Sequence, residues 1–222
     1  MLQPSTLRFL TDLKANNTKS WFDANRPAYE AARADFIQLV TRLIEGLSQL
    51  DPAIAETPLQ AKSCIFRINR DVRFSNDKSP YKTNFGAWFN AGGKPAATAG
   101  YYLNIAPEGS FAAGGLYMPD ATVLATIRQE IDYNFGEFES LITHPTFTKS
   151  FSGLSREDAL SRPPKGYSAD NPAIDYLKLK SFTASHPLSD AAVTQSDFYN
   201  RVMAAFGGLQ PLVAYLNRAV LS

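Results

Sequence analysis

The sequence predicts an α+β fold, in which a mainly antiparallel sheet is packed by several helices within a single domain spanning residues 1–222. Apolar residues recur at helical spacing near both ends of the chain, whereas the middle alternates with period two. The turns between these period-two segments are too short to hold crossover helices, which favours antiparallel pairing. No stretch has the composition of an interdomain linker.

The N-terminal quarter carries two helical stripes. Leu7, Leu10 and Leu13 form the first, after Ser5 as the predicted N-cap. The second helix begins near Pro27 and ends at Asp51, because Pro52 disfavours helical backbone before it. Its apolar positions are Tyr29, Ala32, Phe36, Leu39, Leu43, Leu47 and Leu50.

Three helical segments are predicted in the second half, one of them a short stretch around residues 138–142. Asp120 is expected to cap one of them, and the last helix covers residues 196–221. Gly207, Gly208 and Pro211 are expected to kink or split this last helix. The long N-terminal and C-terminal helices should cover one face of the sheet and leave the other face, or its edge near residues 67–84, for a site.

Four segments alternate in hydrophobicity and are predicted as strands. They comprise residues 62–68, 85–91, 101–105 and 110–117. Cys64 falls on the predicted buried face of the first segment, where a lone cysteine behaves as an inert small hydrophobe. Gly114-Gly115 in the fourth segment indicates a bulge or a close strand contact.

Composition excludes several function classes. The net charge of +1 provides no overall attraction to nucleic acid or membrane. One cysteine rules out an intrachain disulfide framework, and with only two histidines no metal site is predicted. No apolar run reaches the length of a membrane span, so a cytoplasmic location is expected.

The most chemically loaded segment is residues 67–84, which holds five basic and two acidic residues for a local charge of +3. Guanidinium and ammonium groups bind phosphate or carboxylate oxygens, so the segment predicts a binding protein for a phosphate-bearing or other anionic ligand. An anionic small molecule or a nucleic-acid backbone is the expected partner. No cofactor is indicated. A Pro-Pro loop contributes two further basic residues to the candidate set. The candidate ligand-binding residues are Arg67, Arg70, Asp71, Arg73, Lys78, Tyr81, Lys82, Arg162 and Lys165.

Three alternatives remain open at this point. The acids Asp71 and Asp77 could pair with neighbouring basic residues and only pin a loop. They could instead serve as a general base for an enzyme, with Arg73 and Lys82 stabilising developing charge. A non-catalytic interaction protein would require an exposed apolar patch.

Four stretches carry a resemblance to a known family: FLTDLKANNTKSWFDANRPAYE, IFRINRDVRFSNDKSPYKTNF, GYYLNIAPEGSFAAGGLYMP and RPPKGYSADNPAIDYLKLKSF. They run from Phe9 to Phe182, and on them the chain resembles the family called domain of unknown function 2461. The resemblance implies a single-domain, cytoplasmic-type α+β protein and brings no catalytic residues.

Overall fold

Four antiparallel strands form one sheet in the order β1-β2-β3-β4. The structure is a computed structural model and describes residues 1–221. The strands are β1 (Phe85–Asn90), β2 (Gly100–Ile105), β3 (Ser110–Leu116) and β4 (Phe182–Leu188). The antiparallel meander and the α+β class are as predicted.

The helices lie before, between and after the strands. They are α1 (Pro4–Ala15), α2 (Lys19–Ala24), α3 (Arg26–Leu50), α4 (Pro52–Ala55), α5 (Ala61–Cys64), α6 (Ala121–Tyr133), α7 (Phe135–Thr143), α8 (Pro145–Thr148), α9 (Ile174–Leu177), α10 (Asp190–Val193) and α11 (Phe198–Leu221). Among the described residues, no helix is both long and apolar enough to cross a membrane.

The two faces of the sheet are chemically different. One face is covered by α11, which packs on β2 and β3, and by α3 beside β1. The ring of Phe206 lies 5.2 Å from that of Tyr101 and 6.1 Å from that of Phe89, measured between centroids. Within residues 1–221, no long helix packs on the opposite face, which is partly open. The expected coverage by the two long helices is therefore confirmed.

Helix boundaries depart from the sequence predictions in two places. Ser5 does not cap α1, because Pro4 already occupies the first helical turn and Gln3 is the N-cap residue, without a side-chain cap bond. The last helix is continuous through Pro211 rather than split. The caps predicted from Asp120 and the end of α3 at Leu50 agree with the structure.

The predicted strand at residues 62–68 is wrong, and β4 was missed. Residues 61–64 form α5, and the chain then touches β1 through the isolated bridge Ile65–Ala87. After Phe66, the backbone of this segment forms hydrogen bonds with residues 80–82 instead of with the sheet. For example, the Lys82 amide donates to the carbonyl of Ile68 at 2.7 Å. Pro187 lies in β4 at the edge of the sheet, where a missing N–H is tolerated.

Candidate site on the open face of the sheet

The open face of the sheet forms the floor of a groove of about 1160 Å³. Its residues come from all four strands and from five flanking segments. Cross-strand register places Trp88, Tyr102, Ala113 and Ser185 in one row across the floor. The site was predicted on this face, which the two long helices do not cover, or on its edge near residues 67–84.

Three aromatic rings extend across this floor from β3 to the β1 edge. Phe66 meets Tyr102 edge-on with 6.2 Å between centroids, and Tyr102 lies 5.8 Å from Phe111. The Phe66 amide donates to the carbonyl of Gly86 at 2.9 Å, which holds the Phe66 ring beside β1. A Cβ at Gly86 would lie 2.5 Å from the hydroxyl of Tyr102, so only glycine there lets the Tyr102 ring cross β1. The floor therefore offers flat apolar surface.

Two lysines flank the Phe66 ring at this end of the groove. The ammonium of Lys82 lies 5.4 Å from the ring centroid, and that of Lys94 lies 4.5 Å from it. Lys94 Nζ also donates to the carbonyl of Ile65 at 2.5 Å. Both side chains line the groove. Among residues 1–221, neither ammonium has a carboxylate partner within ion-pair distance.

The electrostatic state of the two lysines reflects this shared, partly dry environment. Burial, with the nearby Arg67 guanidinium as a second cause, lowers the pKa of Lys82. Burial also lowers the pKa of Lys94, and repulsion from Lys82 adds to the effect. Positive charge is thus concentrated without compensation, a situation that a bound anion would relieve.

The turn that carries Lys94 is held by side-chain hydrogen bonds. Asn90, at the end of β1, donates to Thr98 Oγ1 at 2.9 Å, and Thr98 donates to the carbonyl of Ala91 at 2.6 Å. Gly92 and Gly93 both have positive φ, as the tight reversal requires. Lys94 is therefore presented to the groove by an ordered turn.

Two carboxylates lie elsewhere on the groove lining. Asp120 is already engaged as the N-cap of α6, where it accepts from the amides of Thr122 and Val123 at 2.9 and 3.0 Å. Glu157 is exposed beside Ser155, whose amide donates to the carbonyl of Thr183 in β4 at 2.7 Å. The strand order places Glu157 on the β4 side of the groove and the two lysines on the β1 side.

Two of the five basic residues in the predicted segment are paired with acids of the same segment. Arg70 forms an ion pair with Asp77, and Asp77 also accepts from the Ser79 amide at 2.9 Å. Arg73 holds Asp71 with two bonds, of 3.0 and 2.7 Å. The paired arginines hold the pKa of each of these carboxyl groups below its usual range. Neither acid lines the groove, so neither is placed as a general base for a ligand bound there.

The remaining predicted residues are dispersed. Lys78 Nζ donates to the carbonyl of Val72 at 3.0 Å. Tyr81 is buried and stacks on Phe22 with 4.0 Å between centroids, so its ring belongs to the core. Arg162 and Lys165 are exposed on their own loop and are not part of the groove lining.

Of the nine predicted residues, the groove includes Lys82, with Arg67 close enough to influence the Lys82 pKa. Lys94, Phe66 and Trp88 line the groove but are not among the residues predicted from the sequence. Period-two alternation was the available signal, because it places Trp88 and Tyr102 on the same face of adjacent strands. Lys94 falls in the turn that joins those strands.

Other chemistries find little support in the described part of the chain. Residues 1–221 contain no group of three or more histidine, cysteine or acidic side chains arranged to hold a metal ion. Cys64 is buried, as predicted, and burial raises the pKa of its thiol, which makes it a poor nucleophile. Gly114 and Gly115 make close strand contacts, as predicted: a Cβ on Gly115 would lie 1.9 Å from the carbonyl oxygen of Phe182.

Comparison with known proteins gives one match. The family model described as "Conserved hypothetical protein (DUF2461)" matches residues 5–215. No curated protein and no solved structure matches the chain.

Proposed function

For a chain that belongs to the conserved hypothetical family DUF2461, we propose that the open face of the sheet binds an anionic small molecule with a flat apolar body. The observation that carries this proposal is the placement of Lys82 and Lys94 on the Phe66 ring, at one end of an aromatic groove, without carboxylate partners in residues 1–221. The acidic group would lie between the lysines, and the flat body on Tyr102 and Trp88.

The chemistry of the groove favours this ligand class over a purely polar anion. Aromatic side chains stabilise planar ligands through apolar burial and ring contacts. An anion that reaches two partly dehydrated ammonium groups gains more than one that meets solvated lysines. Aromatic carboxylates combine both features, and the groove is large enough for a ligand of drug size or somewhat larger.

The test is calorimetric titration with a panel of benzoate, naphthoate and indole carboxylates, using the whole chain. The double variant Lys82→Met, Lys94→Met should lose at least about tenfold in affinity, since a charge-assisted hydrogen bond contributes about 1.5–3 kcal/mol. The double variant Lys82→Arg, Lys94→Arg should keep most of the affinity because it keeps both charges.

Lys165→Met is the matched control, because Lys165 is an exposed lysine outside the groove. It should bind as the parent does. The proposal is abandoned if no member of the panel binds, or if Lys165→Met weakens binding as much as the double methionine variant.

A single-stranded nucleic acid is the second candidate, favoured by the continuous row of Phe66, Tyr102 and Phe111. Bases stack on such aromatic platforms, and lysines contact the backbone. Its signature is affinity for short oligonucleotides that falls steeply with salt. A carboxylate held by two lysines should show a shallower dependence. The carboxylate of Glu157 on the groove lining and the paired arginines make us rank this candidate second.

The proposed location is cytoplasmic. It rests on a single cysteine in 222 residues, which is typical of a reducing compartment. Fractionation of cells producing the tagged chain would test it, and recovery in an extracellular or periplasmic fraction would contradict it.

A further inference from the structure

We propose that Lys82 forms a reversible imine with a ligand that carries a carbonyl group beside its flat body, so that the bound molecule is an oxo acid or an aldehyde acid. This inference rests on the proposed function and narrows its ligand class. It arises from a difference between the two lysines of the groove. Both ammonium groups contact the Phe66 ring, but they differ in their hydrogen bonds.

The two amines differ in how they are held. Lys94 Nζ is fixed by the carbonyl of Ile65 at 2.5 Å. Lys82 Nζ has no hydrogen-bond or ion-pair partner among residues 1–221 beyond its contact with the Phe66 ring. Lys82 is therefore free to approach a ligand atom, whereas Lys94 is held in place, where its ammonium can bind an acidic group.

The surroundings of Lys82 favour the neutral amine that this chemistry requires. A lysine becomes a nucleophile when it is dehydrated or lies beside another cation. Phe66 and Tyr102 provide apolar surface in the same groove, and the charges of Arg67 and Lys94 lie nearby. Burial, with the charge of Arg67 as a second cause, lowers the pKa of Lys82, so a larger fraction of its amine is unprotonated at neutral pH.

The reaction balances without a redox partner. The Lys82 ammonium first loses a proton to water, and the free amine then adds to the carbonyl carbon. The new C–N bond forms as the carbonyl π electrons move to oxygen. Loss of that oxygen as water leaves a C=N bond to Nζ, and hydrolysis reverses each step.

The experiment uses 4-carboxybenzaldehyde and sodium cyanoborohydride, whose hydride reduces the imine to a stable secondary amine. Peptide mass spectrometry then locates the adduct. At pH 7.5, Lys82 should be labelled several-fold faster than Lys165, since the lowered pKa leaves more of its amine unprotonated and the groove holds the aldehyde beside it. Labelling at Lys82 should saturate with aldehyde concentration.

Two measurements separate this inference from the proposed function. The variant Lys82→Arg should lose the adduct, and the parent protein should bind 4-methylbenzoate, which has no carbonyl to condense. Lys165→Arg, the matched control, should keep both the binding and the Lys82 adduct. Equal labelling of Lys82 and Lys165, or labelling that never saturates, overturns the inference while leaving the carboxylate site intact. Failure of 4-methylbenzoate to bind the parent protein counts against the proposed function instead.

Discussion

The hydroxyl of Tyr101 donates a 2.7 Å hydrogen bond to Asp51 Oδ2 in the interior of the protein. Tyr101 is fully buried, and Asp51 is 5% exposed. The other oxygen of Asp51 accepts from the Ala53 amide at 3.0 Å and so caps α4. One carboxylate thus connects β2 to the junction between α3 and α4, and burial together with this bond raises the pKa of Tyr101.

Replacing Tyr101 with phenylalanine should destabilise the protein by about 1–3 kcal/mol, because a buried carboxylate loses a hydrogen-bond donor that water cannot easily replace. Urea denaturation followed by circular dichroism gives the free energy of unfolding. Tyr29→Phe is the control, since Tyr29 is half-buried and its hydroxyl has no hydrogen-bond partner among the described residues. It should change stability by less than about 0.5 kcal/mol. Equal effects of the two variants would show that the Asp51 contact contributes nothing specific.

The contact of β3 with β4 depends on Gly115. Its φ of +118° is unfavourable for other residues, and a Cβ would lie 1.9 Å from the carbonyl oxygen of Phe182. Gly115→Ala should therefore cost at least about 2 kcal/mol of unfolding free energy. Gly207→Ala is the opposite case, because Gly207 is in α11 and its added Cβ would meet no atom within 4 Å. It should stabilise the protein by about 0.5–1 kcal/mol. If Gly115→Ala lowers the free energy of unfolding only slightly, β4 can shift away from β3 to make room for the added Cβ.

Local patterns predicted those parts of the fold that depend on local interactions. The apolar stripe from Tyr29 to Leu50 predicted α3, because the residues on the buried face of a helix recur every three to four positions. Strand β4 was missed because Pro187 is acceptable only at a sheet edge, and edge position is a property of the assembled sheet.

The candidate site was only partly predictable for a related reason. Charge composition identified Lys82. It could not show that Arg70 pairs with Asp77, seven residues away, because the path of the loop backbone brings these two side chains together. Lys94 resembles any solvated turn lysine in sequence. Only the fold of the β1–β2 turn brings its ammonium to the carbonyl of Ile65 and the ring of Phe66.

The ion pair between Arg70 and Asp77 should hold the loop that contains Lys78 closed. Arg70 is half-buried and also reaches Ser75 Oγ at 3.4 Å, so Arg70→Ala removes two contacts within the loop. Trypsin cleavage after Lys78 should then become several-fold faster, because the opened loop populates cleavable conformations more often. Mass spectrometry of timed digests measures this rate. Arg73→Ala is the matched control, since Arg73 pairs with Asp71 only two residues away. If both variants are cleaved alike, the Arg70 pair does not constrain the loop.

Binding of an aromatic carboxylate should weaken as pH rises within a range where ordinary lysines keep their charge. The pKa values of Lys82 and Lys94 are lowered below the usual lysine value, so both ammonium groups lose their protons before a solvated lysine does. The acid itself stays ionised throughout this range, and burial raises the pKa of Tyr102, which keeps the phenol neutral. Affinity should therefore be greatest near neutral pH and should fall toward pH 10, as measured by calorimetry in buffers of equal ionic strength.

The Lys82→Arg, Lys94→Arg variant is the control, because a guanidinium stays charged over the whole range. The affinity of this variant should not change with pH. If parent and arginine variant decline together, the loss of affinity arises elsewhere in the protein, and the two lysines are not the groups that hold the anion.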